Sequence, residues 1–187
     1  MRRKPLFFGL LAVLTIGIAL AAARPLRVLM PEAQGLTCIT DTICVEVPAT
    51  AIRALALFDA ALFDVETRLG PLNTLPNIYF CSTTACFERF GNPQVAGLYF
   101  WGLDTITLNG PEWEPHILRH ELIHHWQRQQ YGLAWTLTGR QMWFIEGMAY
   151  SLSDDPRRPL PRDDIEAWRT RFEAWLAESG DLSHLPE

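Results

Sequence analysis

The stretch Pro115-His-Ile-Leu-Arg-His120-Glu121-Leu-Ile-His124-His-Trp-Gln-Arg-Gln-Gln-Tyr131 decides how this chain is read. Prolines at 111 and 115 suit the first turn of a helix, where a missing N–H costs nothing, and Gly132 suits the position just past its end. The pattern predicts a helix from about residue 111 to 131. Residues four apart stand on one helix face, so His120 and His124 of this H-E-x-x-H run can bring both imidazoles to one point. Neutral imidazoles suit a zinc ion, at bond lengths of about 2.0–2.1 Å. Glu121, beside the first histidine, is placed to take a proton from an attacking water without ligating the ion itself.

A catalytic zinc ion keeps three protein ligands and one open position. The third ligand must come from elsewhere, and the best source is Trp143-Phe-Ile-Glu146-Gly-Met-Ala-Tyr150, on a helix expected over about 138–152. A turn at 132–138 would fold that helix back along the first. Its stripe of Met142, Trp143, Ile145, Met148 and Ala149 is apolar, and Glu146 is the one acid in it, 22 residues after His124. A lone carboxylate in such a stripe is costly to bury unless an ion relieves the cost. His116 shares the face of His120 and His124 but lies about 12 Å from His124 along the axis at 1.5 Å per residue. It reads as a first-turn rim residue. His125 is off the face and reads as solvent-facing or as a support behind the ligands, and His184 reads as having no special role.

Outward from this pair of helices, residues 50–69 form another, with Ile52, Leu55, Phe58, Leu62 and Val65 apolar, Thr50 as cap and Gly70-Pro71 as stop. Strands are expected at 44–47, 77–82, 97–102 and 105–109, the last two joined in a hairpin near 102–104. A final helix is expected over 162–178. One helix, a small sheet, then helices make an α+β domain over 38–187, with 24–37, broken by Pro25, Pro31 and Gly35, as a linker. The 187 residues are 49% hydrophobic with a mean hydropathy of +0.03, which excludes a disordered or coiled-coil chain.

Sixteen basic and 21 acidic residues give a net charge of −5. Arg2, Arg3 and Lys4 precede the first apolar run; without them 13 basic residues face 21 acidic ones, a body of −8. That balance lacks the basic footprint of a nucleic-acid binder. Lys4 is the sole lysine, so the body offers no Schiff-base residue. The uncharged run from Leu6 to Ala23 reaches about 27 Å as a helix against a hydrocarbon core of about 30 Å. Its basic N-terminal flank directs the body out of the cytoplasm. Residues 1–23 read either as an uncleaved anchor tying the body to the membrane or as a signal peptide cut after a small-x-small site; in the second case the body is secreted or periplasmic. Cys38, Cys44, Cys81 and Cys86 agree with export, where an even count suggests disulfides. Of three possible connectivities the local pairs Cys38–Cys44 and Cys81–Cys86 are preferred; a zinc site fits these spacings poorly.

His120-Glu-Leu-Ile-His124 followed by Trp143-Phe-Ile-Glu146-Gly-Met-Ala resembles the gluzincin group of zinc metallopeptidases, over about 116–153. The resemblance implies a small zincin-like domain with a short mixed sheet, one Zn2+ on His120, His124 and Glu146, and Glu121 as general base in peptide-bond hydrolysis. It also implies that strand 98–109 aligns a peptide or protein substrate. Tyr150, one turn past Glu146, is the first residue to consider for steadying the oxyanion, ahead of Tyr131 and His116. Some members place an aspartate where Tyr150 stands, as support for a histidine. Gln127-Arg-Gln-Gln130 occupies the place of the extra histidine of metzincins. The rival is an inactive metal-binding envelope assembly protein, against which Glu121 argues. An intramembrane protease is rejected because Arg119, Arg128 and three glutamines sit on the motif helix. Trp101, Trp113, Trp126, Trp135 and Trp143 read as core packing around these helices, or as an apolar wall for substrate. Oligomeric state and substrate are open.

Overall fold

The computed structural model describes residues 24–110, 113–137, 141–179, 181–182 and 185. The apolar run at 6–23 and His184 lie outside the described residues. Strands β1 (Thr37–Cys38), β2 (Ile43–Val45), β3 (Asn77–Phe80), β4 (Gly97–Phe100) and β5 (Thr105–Leu108) form one sheet in the order β1-β2-β3-β5-β4. The inner pairs β2/β3 and β3/β5 are parallel, and the outer pairs β1/β2 and β4/β5 are antiparallel. The helices are α1 (Ala51–Leu69), α2 (Thr84–Phe87), α3 (Pro115–Tyr131), α4 (Leu133–Leu137), α5 (Met142–Leu152) and α6 (Asp163–Ser179). The chain is therefore α+β with a small mixed sheet. No helix among the described residues is long and apolar enough to cross a membrane.

Helix α1 is the crossover between parallel β2 and β3. Its buried positions Ala54, Phe58, Ala61 and Val65 recur every three to four residues, the period of one helix face. They share a core with Ile43, Val45, Ile78, Phe80, Ile106 and Leu108 of the sheet. The alternate residues Cys44, Tyr79 and Phe100 turn to the other face, where Phe87 and Phe90 cover them. Burial on both faces explains why the central strands lack a polar alternation. Thr50 does not cap α1; its hydroxyl turns back to the Val47 carbonyl at 2.7 Å, within a 3-10 turn over Pro48–Thr50.

The expected linker at 24–37 is instead part of the packed body. Its prolines sit in two 3-10 turns, Arg24–Leu29 and Glu32–Gln34, and Val28 and Leu36 are buried against the second sheet face. The Tyr79 hydroxyl donates to the Val28 carbonyl at 2.6 Å, and Arg27 donates to the Arg89 carbonyl at 3.1 Å. Proline and glycine punctuate turns equally in linkers and in packed segments, so the two apolar side chains decide. Both disulfides are the local pairs: Cys38–Cys44 joins directly opposed residues of β1 and β2, and Cys81–Cys86 ties the end of β3 to α2.

The helix expected over 138–152 begins at Met142, and α4 is a separate turn after Gly132. Thr136 within it donates its hydroxyl back to the Gly132 and Leu133 carbonyls. Helix α6 lies across α5, with Phe172 and Trp175 edge-on to Phe144. Gly147 permits this approach, since a Cβ there would stand 2.4 Å from the Trp168 carbonyl oxygen. Backbone cannot give way as a side chain can. Gly147→Ala is therefore expected to cost about 1–3 kcal/mol, read as a melting-temperature drop of about 3–10 °C. An unchanged melting curve would show that the α5–α6 contact is looser than this.

Candidate metal centre and cleft

Two consecutive turns of α3 place His120 Nε2 and His124 Nε2 3.1 Å apart. From α5, Glu146 brings one carboxylate oxygen to 3.6 Å from His120 Nε2 and the other to 3.7 Å from His124 Nε2. Ligands at about 2.0–2.1 Å in tetrahedral array lie about 3.3–3.4 Å from one another, so the three groups have the spacing of a shared ion. His120, His124 and Glu146 can hold a metal ion. His124 Nδ1 lies 2.9 Å from Gln127 Oε1, and Gln127 Nε2 donates to the Ile145 carbonyl at 2.9 Å. Because the amide nitrogen is committed to Ile145, its oxygen accepts from His124 Nδ1–H. That fixes the tautomer and leaves the Nε2 lone pair toward Glu146.

The electrostatics suit a cation. Burial would raise Glu146, but His124 and His120 outweigh it and bring the carboxyl down to about 2. Burial works against charge on His120, yet the hydrogen bond to Glu146 and the field of Glu121 raise its pKa. Burial lowers His124 to about 4, so it stands neutral. Without an ion, His120 and Glu146 neutralise each other.

Glu121 lines the same cleft as the three ligand candidates and is only 6% exposed. Burial raises it to about 7, opposed by His120 and by a hydrogen bond from the Tyr99 backbone. A Cβ at position 97 would lie 2.7 Å from its Oε1, so Gly97 is needed for β4 to pass this close. Strand β4 is thus an edge of the sheet and also the cradle of Glu121. Tyr150 lies beside the ligands, its ring 4.4 Å from that of His120, and both line a cleft of about 810 Å³.

His116 also lines the cleft, outside the ligand group, with Nε2 4.0 Å from Asp155. His125 does not face solvent: it is fully buried, with Nδ1 3.1 Å from the Tyr99 hydroxyl and Nε2 2.7 Å from the Thr74 carbonyl. The Tyr99 hydroxyl donates to Asp104 at 2.8 Å, and Arg128 pairs with the same carboxylate. This network binds the β4–β5 hairpin to α3. Trp113, Trp126 and Trp143 pack in the core, whereas Trp101 lines the cleft with its ring 5.1 Å from that of His124.

Sequence reasoning missed Tyr99, Asp104 and the part played by Gln127. Gln127 carried a usable signal, standing three residues after His124 where helix side chains meet. Tyr99 and Asp104 carried none, because their partners are distant in the chain. Losing such a support behind a ligand histidine typically costs about 10–100-fold in metal affinity. Gln127→Ala is expected to weaken metal binding by that amount, measured by competition against a chromophoric chelator; unchanged affinity would mean that His124 is oriented without it. The chain matches no family model, no curated protein and no solved structure.

Proposed function

We propose that this protein is a zinc-dependent peptidase of gluzincin type, working on peptide or protein substrates outside the cytoplasm. The observation that carries the reading is the pairing of His120, His124 and Glu146 at one-ion spacing with Glu121, which is buried, held by β4 and raised to about 7. A purely structural ion would not need an acid poised at that place. A zinc ion held by the three ligands supplies Lewis acidity toward a scissile carbonyl and a lowered pKa for an attacking water.

The chain's own residues do the rest. A carboxylate that titrates near neutrality can take a proton and return it to a leaving amine, and Glu121 is that carboxylate. The Tyr99 N–H faces this carboxylate and Gly97 leaves room for it against β4, so its surroundings are in place before the proton moves. The free edge of β4 offers an extended peptide a backbone ladder. The Tyr150 phenol, kept protonated by burial and by Glu146, is placed to donate to developing charge on the carbonyl oxygen. Two disulfides support an extracytoplasmic site of action; the N-terminal apolar segment is proposed as the contact with the membrane.

The test is zinc content by mass spectrometry on the full chain in detergent, beside cleavage of a mixed-sequence peptide library. One zinc per chain and chelator-sensitive cleavage are expected. A folded protein that takes up no zinc and cleaves nothing would sink the proposal in favour of an inactive assembly factor.

A further inference from the structure

The wall of the cleft that faces β4 is built from the segment between α5 and α6, and it carries charge in an unusual form. Asp155 is buried, its side chain 1% exposed, and accepts from Arg157 Nε at 2.9 Å and from Arg157 Nη2 at 2.5 Å. Arg162 repeats the arrangement with Asp164, through Nε at 3.1 Å and Nη2 at 2.5 Å. In each pair a carboxylate two residues away holds one edge of the guanidinium. Nη1 of both arginines has no partner among the described residues. Both arginines line the cleft, and their side chains are 49% and 67% exposed.

The segment is anchored from behind. Buried Arg169 of α6 donates Nη1 to the Arg157 carbonyl at 2.8 Å, and Glu166 accepts the Leu160 N–H at 2.9 Å. Asp164 has its own reason to be where it is, since an acid is favoured in the first turn of a helix. Arg157 is therefore set in place before any ligand arrives, which removes part of the entropy cost of binding, whereas Arg162 has only its exposed pair with Asp164. The opposite wall, from Asn92 and Gln94 to Leu98, carries no charge. Each guanidinium is neutralised by its own aspartate, so what this wall offers a ligand is not net charge but the second, uncommitted edge of each arginine fork.

We infer that the cleft selects peptides bearing a carboxylate close to the scissile bond, received by Arg157 and Arg162. Arginine donors match a carboxylate in charge and in planar geometry. The carboxylate is either an acidic side chain or the free C-terminus of the peptide. The inference rests on the peptidase reading, since the metal centre sets where the peptide lies.

The test uses the zinc-loaded full chain in detergent micelles and three peptide hydroxamates, with dissociation constants measured by calorimetry. One has a glutamate side chain and a C-terminal amide, one a glutamine and a C-terminal amide, and one a glutamine and a free C-terminal carboxylate. At least one carboxylate ligand is expected to bind about tenfold tighter than the all-amide one, and the ligand that does so identifies the source. Arg162→Gln, at an exposed position, is expected to cut that preference to about threefold or less, and Arg157→Gln to do the same. Equal binding of all three would overturn the carboxylate inference while leaving the metal-site reading intact. A preference that survives both substitutions would overturn the assignment to these arginines. Failure of every hydroxamate to bind would overturn the peptidase reading, and this inference with it.

Discussion

Glu121→Gln is expected to lower kcat by about 10²–10⁴-fold, the usual contribution of a positioned general base, while zinc content stays at the wild-type value. The amide keeps the shape of the side chain and can still accept the Tyr99 N–H, so the cradle formed by β4 survives. What it loses is basicity. The change also removes a buried charge, since burial is the main cause of the raised pKa of Glu121, so the fold should be no less stable. Steady-state kinetics on any cleaved library peptide, with mass spectrometry on the same sample, separates these effects. Turnover near the wild-type rate would move the base elsewhere in the cleft.

Glu146→Ala acts on the other half of the site. It is expected to weaken zinc binding by more than about 100-fold, since losing only a support behind a ligand costs about 10–100-fold. Activity should fall in step with occupancy and recover in part with excess zinc. The metal-free state should change too. Glu146 is the partner that lets buried His120 hold a proton; without it burial lowers that histidine's pKa, leaving two neutral imidazoles. The readouts are chelator competition and the pH titration of His120 by NMR in metal-free protein. Wild-type zinc affinity in the variant would remove Glu146 from the ligand set, and the low pKa of about 2 would then report only an ion pair.

The site was more legible in the sequence than the fold around it. A spacing of four on a helix and a single acid in an apolar stripe are local signals, and they led to His120, His124 and Glu146. Helices α1, α3 and α6 were legible as long runs, but two starts were not: Thr50 does not cap α1, and α3 begins at Pro115 rather than near 111, because Trp113 turns into the core with its indole N–H on the Cys81 carbonyl. The packing of 24–37 was not, because Val28 and Leu36 are single apolar residues whose partners lie across the sheet, beside Tyr79 and Phe87. The strand order was not legible either, since two parallel pairings with β3 at the centre leave no local trace. Of the two readings of His125, the solvent-facing one fails, because the β4–β5 hairpin covers that side of the helix and the hydrogen bonds to Tyr99 and Thr74 hold the ring in the interior.

Among the described residues, those that line the cleft come from positions 92 to 168, whereas α1 and β1–β3 lie earlier in the chain and stand behind it. Labour is thus divided along the polypeptide as well as in space. The earlier half works as a plinth: substitutions there reach the chemistry through the lifetime and yield of the folded protein. The later half holds the cleft, where, on the proposed function, a substitution changes selectivity or rate in a protein that folds as well as before. An inherited change of specificity has one contiguous stretch of coding sequence in which to arise.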